Sequence, residues 1–92
     1  MPDQACKFLV AHNTLTLATT NDDGSPYACD LFYARGGDAF YFLSDPASRH
    51  VQNLVREPRV SATIHGNAQG WQDIRGVQIV GAAARVENRA ER

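Results

Sequence analysis

Phe40-Tyr41-Phe42-Leu43-Ser44-Asp45-Pro46-Ala47-Ser48-Arg49-His50 carries the chain from one kind of backbone into another. The aromatic run from Ala39 to Ser44 suits a pleated strand. Asp45-Pro46 then reads as an N-cap residue followed by proline at the first helical position. Ala47, Val51, Leu54 and Val55 fall on one helical face, and Glu57-Pro58 closes the helix. On the other side of the run, Arg35-Gly36-Gly37-Asp38 turns the chain, which makes the strand before it, Tyr27 to Ala34, the antiparallel partner in a hairpin.

Further out the same alternation recurs. Leu15, Leu17 and Thr19 alternate with Thr14, Thr16, Ala18 and Thr20, and Asn21-Asp22-Asp23-Gly24-Ser25-Pro26 is a dense turn signal. Val60, Ala62 and Ile64 alternate with Ser61, Thr63 and His65, and a last strand runs from about Ile74 to Val86. Gly76 and Gly81 within it signal a bulge, a corner or a close approach by another group. Residues 3–12, with Ala5, Phe8, Leu9 and His12 at helical spacing behind Asp3, read as a short amphipathic helix. The expected order is α-β-β-β-α-β-β in one domain: a mainly β (α+β) antiparallel barrel with short flanking helices, closed so that no edge is bare.

Composition excludes several classes. With 92 residues, 43% apolar and 21% charged, the chain has the make-up of one globular domain, and a monomer of this length buries a modest core. No apolar run approaches the roughly 20 residues of a membrane span, and no signal-peptide pattern opens the chain. Cys6 and Cys29 have neither metal-ligand nor disulfide spacing, which points to reduced thiols and a cytoplasmic protein. The net charge of −1 creates no general attraction to nucleic acid or anionic lipid. Residues 88–92 end the chain where a polar helix would begin, so it reads either as truncated or as taking its last strand from a partner.

One local feature runs against electrostatic expectation. Arg49 and His50 sit in the first turn of the second helix, where each cation loses about 0.3–1 kcal/mol against the helix dipole. The free N–H groups there favour an anion, arginine is the better fork for phosphate, and Ser44 and Ser48 add hydroxyls. A phosphate between these groups accounts for the pattern; a solvated surface arginine is the plainer account. Among other candidates, Asp30 in an apolar strand faces solvent or an interface, and Trp71 is core filler or a stacking platform. His12 and His65 lie isolated on different elements, giving no metal site. No nucleophile elbow, P-loop or dinucleotide fingerprint is present, so no catalytic side chain is assigned.

Leu17-Ala18-Thr19, Asp23-Gly24-Ser25-Pro26, Phe40 to Ser44, Ala47-Ser48-Arg49-His50, Asn53-Leu54 and Glu57-Pro58-Arg59-Val60-Ser61, in this order, resemble the pyridoxamine 5′-phosphate oxidase-like superfamily of flavin-binding split β-barrels. The segment from Ile74 to Glu87 is similar to that superfamily's next strand, and the match covers about residues 14–87. The resemblance implies a homodimer with two FMN sites at the subunit interface. It implies that Ser44 with Ser48, Arg49 and His50 holds the phosphate, and that Ala28, Cys29, Asp30 and Leu31 run along the ring edge with Leu43 nearby. Trp71, or the last strand of the other subunit, would cover the ring. The implied function is a flavin-dependent oxidoreductase acting on a small substrate.

The departures from that superfamily narrow the expectation. His50 stands where it has a lysine, Ala28 and Tyr33 where the oxidase has basic residues, and Gly76 where it has a polar flavin contact. The C-terminal contacts for a substrate phosphate are missing. This separates the chain from true pyridoxamine phosphate oxidases and leaves three alternatives: the deazaflavin F420, haem on His12, His50 or His65, or a cofactor-free dimeric binding or sensory module.

Overall fold

The threonine-rich run becomes β1 (Thr14–Thr20), and the rest of the sheet is built on it. The computed structural model describes Lys7, residues 11–66 and residues 76–86. After β1 come β2 (Pro26–Phe32), β3 (Ala34–Gly36), β4 (Ala39–Tyr41), α1 (Arg49–Arg56), β5 (Arg59–His65) and β6 (Gly76–Ala82). The expected helix over 3–12 lies outside the described residues except at Lys7 and Ala11, both helical, and at His12, which is not. Trp71 and the start of the last expected strand also lie outside them.

Four strands form one antiparallel sheet in the order β2-β1-β5-β6. Its register aligns one inward residue per strand: Leu17 faces Cys29 on one side and Ala62 on the other, and Ala62 faces Ile79. Period-two alternation puts the next such residues, Leu15, Leu31, Ile64 and Val77, on the same face. Leu15, Leu17, Ala62 and Ile64 are buried, with Phe40, Phe42, Leu54 and Val60 packed around them. The opposite face carries Thr14, Thr16, Ala28, Asp30, Ser61, Thr63 and Gln78, the polar half of the same alternation.

The turns follow the expected chemistry. Gly24, at φ 89°, closes the β1–β2 turn with its N–H on the Asn21 carbonyl (2.9 Å), and the Asn21 N–H returns to the Ser25 carbonyl (2.8 Å). In the β3–β4 hairpin, Gly37 takes a positive φ of 61° at the first central position, as a II′ turn requires.

Three expectations are corrected. The strand expected over Tyr27–Ala34 breaks at Tyr33, which leaves the ladder because its N–H bonds to the Asn13 carbonyl (3.0 Å) and its hydroxyl to the His12 carbonyl (2.7 Å). Its ring meets Phe40 edge-on at 5.5 Å. The strand that follows ends at Tyr41 rather than Ser44. The sheet is also open among the described residues: β3 and β4 pair only with each other, leaving β2 and β6 as edges.

Gly76 and Gly81 separate in meaning. A Cβ at Gly76 would stand 2.9 Å from the Ile64 carbonyl oxygen, whereas one at Gly81 would meet nothing within 4 Å. Gly76→Ala is therefore expected to destabilise the protein, and Gly81→Ala to change stability by less than about 0.5 kcal/mol. Ile64→Ala, which empties the one fully buried large side chain among the described residues, is expected to cost about 2–5 kcal/mol. Urea denaturation midpoints at unchanged slope check all three.

Candidate functional site

The segment between β4 and α1 sets the site. Asp45 caps a turn rather than the helix: its carboxylate accepts the Ala47 N–H at 2.8 Å and its carbonyl accepts the Ser48 N–H at 2.9 Å. Pro46 therefore sits in that turn, its carbonyl accepting the Gln52 side-chain amide at 2.8 Å, and α1 starts only after Ser48. The Ser48 hydroxyl donates to the Asp45 carbonyl at 2.7 Å and makes no cap, and the first turn of α1 holds no acidic residue. The opening N–H groups thus have no side-chain acceptor among the described residues, an arrangement that favours an anion.

The buried face of α1 is not its apolar stripe. His50 and Asn53 are buried, whereas Val55 is 80% exposed. With about 100° between successive residues, this face lies roughly a quarter turn from the expected one. Hydrogen bonding explains the shift. The Asn53 amide donates to Thr19 Oγ1 and Asn21 Oδ1, each at 3.0 Å, and His50 Nε2 lies 2.7 Å from Ser44 Oγ. Arg56 reaches the Thr20 carbonyl at the far end of the helix.

Arg49 and His50 consequently have different surroundings. Arg49 is exposed, with its guanidinium carbon 5.5 Å above the Tyr27 ring at the start of β2 and no carboxylate within ion-pair distance among the described residues. Asp23 is held below the usual carboxylate range mainly by the Ser25 hydroxyl and N–H, with a smaller effect from Arg49. His50 lies beside Phe42, the ring centroids 6.2 Å apart, and burial pushes its pKa down. It is a neutral imidazole at pH 7, where the sequence alone allows a weak cation.

Of the other nominated residues, Cys29 and Leu31 face the core, while Ala28 and Asp30 face outward. Asp30 accepts the Thr16 hydroxyl at 2.6 Å. Burial, then the neighbouring Asp30 charge, pushes the Cys29 thiol up, so it stays protonated near neutrality. Leu43 is 99% exposed. Of the nominated phosphate ligands the structure thus pairs Ser44 with His50, sets Arg49 beside them in sequence but over Tyr27, and engages the Ser48 hydroxyl with the Asp45 carbonyl. Tyr27, Thr19 and Asn53 are not nominated as site residues by the sequence reading; a polar residue one turn along from His50 is the signal that finds Asn53. A shallow depression of about 330 Å³, lined by Ala18, Thr20, Pro26, Arg59 and Ser61 among others, takes in none of the nominated residues.

This open antiparallel sheet, with a helix packed on its β1 end, defines a domain of the split-barrel class. The chain belongs to the Pyridoxamine 5′-phosphate oxidase family, whose profile matches residues 1–92. It is 36% identical over 67 residues to a UPF0306 protein of an Enterobacter species, covering 71% of this chain and 47% of that protein. A UPF0306 protein of Photorhabdus laumondii is 28% identical over 94% of this chain and 61% of its own length. The chain therefore spans about half to three fifths of the length of these curated relatives.

Among solved structures, a conserved hypothetical protein from Mycobacterium tuberculosis superposes with a TM-score of 0.85 at 29% identity, covering 99% of this chain and 57% of that one. A heme binding protein from Mycobacterium smegmatis gives 0.82 at 27%, covering 96% and 37% respectively. An F420 reductase, at 19% identity, 0.79, and 92% and 65% coverage, shares the fold alone.

The His50 environment has a measurable consequence. The unfolded chain protonates this imidazole near its ordinary 6.5, and the folded chain only at lower pH. Stability is therefore expected to fall as the pH drops below about 6.5, because the unfolded state then binds the extra proton. His50→Gln is expected to flatten that part of the profile, read as urea midpoint between pH 7.5 and 5. Glu57, held down to about 2 by Arg59, acts in a separate window: its contribution is present above 4.5 and is lost as the pH falls through about 2.

Proposed function

We propose that this chain is an FMN-binding split-barrel protein, a cytoplasmic homodimer with shared cofactor sites, and a flavin-dependent oxidoreductase acting on a small substrate. The observation that carries the reading is Arg49, a guanidinium without a carboxylate partner among the described residues, at an uncapped helix start. These donors suit a phosphate: Arg49 as a planar fork, the first-turn N–H groups and the Ser44 hydroxyl. FMN, when bound, supplies hydride or single-electron transfer. The protein's own part is to hold and orient. As an edge strand, β2 turns alternate backbone N–H and C=O groups away from β1 and offers them to a ring edge. Cys29, as a neutral thiol, contributes no charge beside it.

Dimerisation is supported by large apolar side chains left in water, among them Phe32 (75% exposed), Val80 (87%) and Leu43. The free Cys29 thiol suits a reducing compartment. The same phosphate donors suit the deazaflavin F420. Haem is a second reading, favoured by the heme binding relative and by His65, whose exposed imidazole stands at the end of β5 while that of His50 is buried against Ser44. A barrel that binds no cofactor is the remaining alternative.

A visible spectrum of the purified protein separates these: flavin bands, a deazaflavin band, a Soret band, or none. Arg49→Glu is expected to weaken FMN binding at least about tenfold and to leave riboflavin, which lacks the phosphate, unchanged; flavin fluorescence titration reads both. Equal affinity of wild type and variant for FMN defeats the phosphate assignment. Light scattering is expected to give twice the chain mass.

A further inference from the structure

We propose that His50 is a positioning residue for a bound phosphate, acting through the Ser44 hydroxyl and not by its own charge. The inference rests on the phosphate-bearing cofactor reading above and concerns which proton lies between two atoms 2.7 Å apart, His50 Nε2 and Ser44 Oγ. A hydroxyl has one proton to donate and two lone pairs that accept. If Ser44 gives its proton to Nε2, it presents only a lone pair to any ligand and repels a phosphate oxygen. If Nε2 carries the proton and donates it to Ser44, the hydroxyl proton is free to point at the phosphate.

An anion at the start of α1 selects the second arrangement. The ring is held for it: His50 is 9% exposed, packs beside Phe42, and lies on the same helix face as Asn53, which Thr19 and Asn21 hold. The groups around the ring leave its charge state alone. Arg49, its neighbour on α1, turns toward Tyr27, and Ser44 and Phe42, from the segment after β4, are neutral. Burial is the cause that moves its ionisation, and no charged group contributes. Arg49 thus supplies the positive charge, and His50 decides that Ser44 is a donor.

The experiment is a set of FMN and riboflavin titrations on wild type, Ser44→Ala, His50→Leu, His50→Gln and the Ser44→Ala/His50→Leu double variant. Ring ¹⁵N spectra of the wild type accompany them. His50→Leu is expected to weaken FMN binding about fivefold or more, and His50→Gln, whose amide still donates to Ser44, to stay within about twofold of wild type. The double variant is expected to bind no worse than Ser44→Ala, since both act through one hydroxyl. Riboflavin affinity should not move, FMN affinity should be level from pH 7 to 8.5, and the ring should be the neutral Nε2–H tautomer.

Additive losses, an Nδ1–H tautomer, equal effects on riboflavin, or an affinity falling about tenfold per pH unit above 7, as a required cation demands, overturns the proposal. If the wild type binds neither flavin, the cofactor reading has failed, and phenyl phosphate becomes the probe. A shift at His50 in wild type that vanishes in Ser44→Ala keeps the inference without the flavin, and its absence ends it.

Discussion

One buried amide holds the candidate site in place. Asn53, 4% exposed, gives one hydrogen bond to Thr19 in the middle strand pair and one to Asn21 in the turn that follows. A side-chain amide buried without partners costs about 1–3 kcal/mol, so these two bonds fix which way α1 faces. With Asn53 inward, the helical period brings His50 in against Ser44 and leaves Arg49 at the flank over Tyr27. Arg56 adds a contact to the Thr20 carbonyl at the other end. The seam between helix and sheet is thus polar along much of its length.

That polarity divides the labour between two adjacent residues. At a helix start the dipole and the bare N–H groups favour negative charge. An exposed guanidinium tolerates the opposing dipole because water screens it, and the Tyr27 ring below adds a modest cation–π attraction. A buried imidazole has no such relief and stays neutral. The site therefore gathers its charge in one flexible side chain and its directionality in a rigid pair, Ser44 and His50.

The edges of the sheet bear on assembly in the same way. Four strands around Leu15, Leu17, Ala62 and Ile64 bury a small core for a chain of 92 residues. β2 and β6 stand unpaired on their outer sides among the described residues, with Phe32 and Val80 in water near them. An open edge and exposed apolar side chains both lower their free energy when covered, which is the physical ground for the dimer proposed above.

The strands and the way they face are written in the chain locally. Alternation in Thr14–Thr20 and Arg59–His65 carries its own period, and Asn21–Ser25 and Gly36–Gly37 carry their own turn chemistry, so each was legible without any neighbour. The strained charge at Arg49 was legible for the same reason, since a helix dipole is a local property. What lies between elements is set instead by contacts across the fold. Asp45-Pro46 looked like a helix start until Ser48 took the Asp45 carbonyl, and Tyr33 looked like strand until the His12 and Asn13 carbonyls claimed it. The apolar stripe of α1 gave way to His50 and Asn53 because their partners, Ser44, Thr19 and Asn21, lie up to 34 residues away. A hydrogen bond across that separation leaves no periodic trace in the chain, and whether His50 is a cation or an oriented neutral donor depends on it.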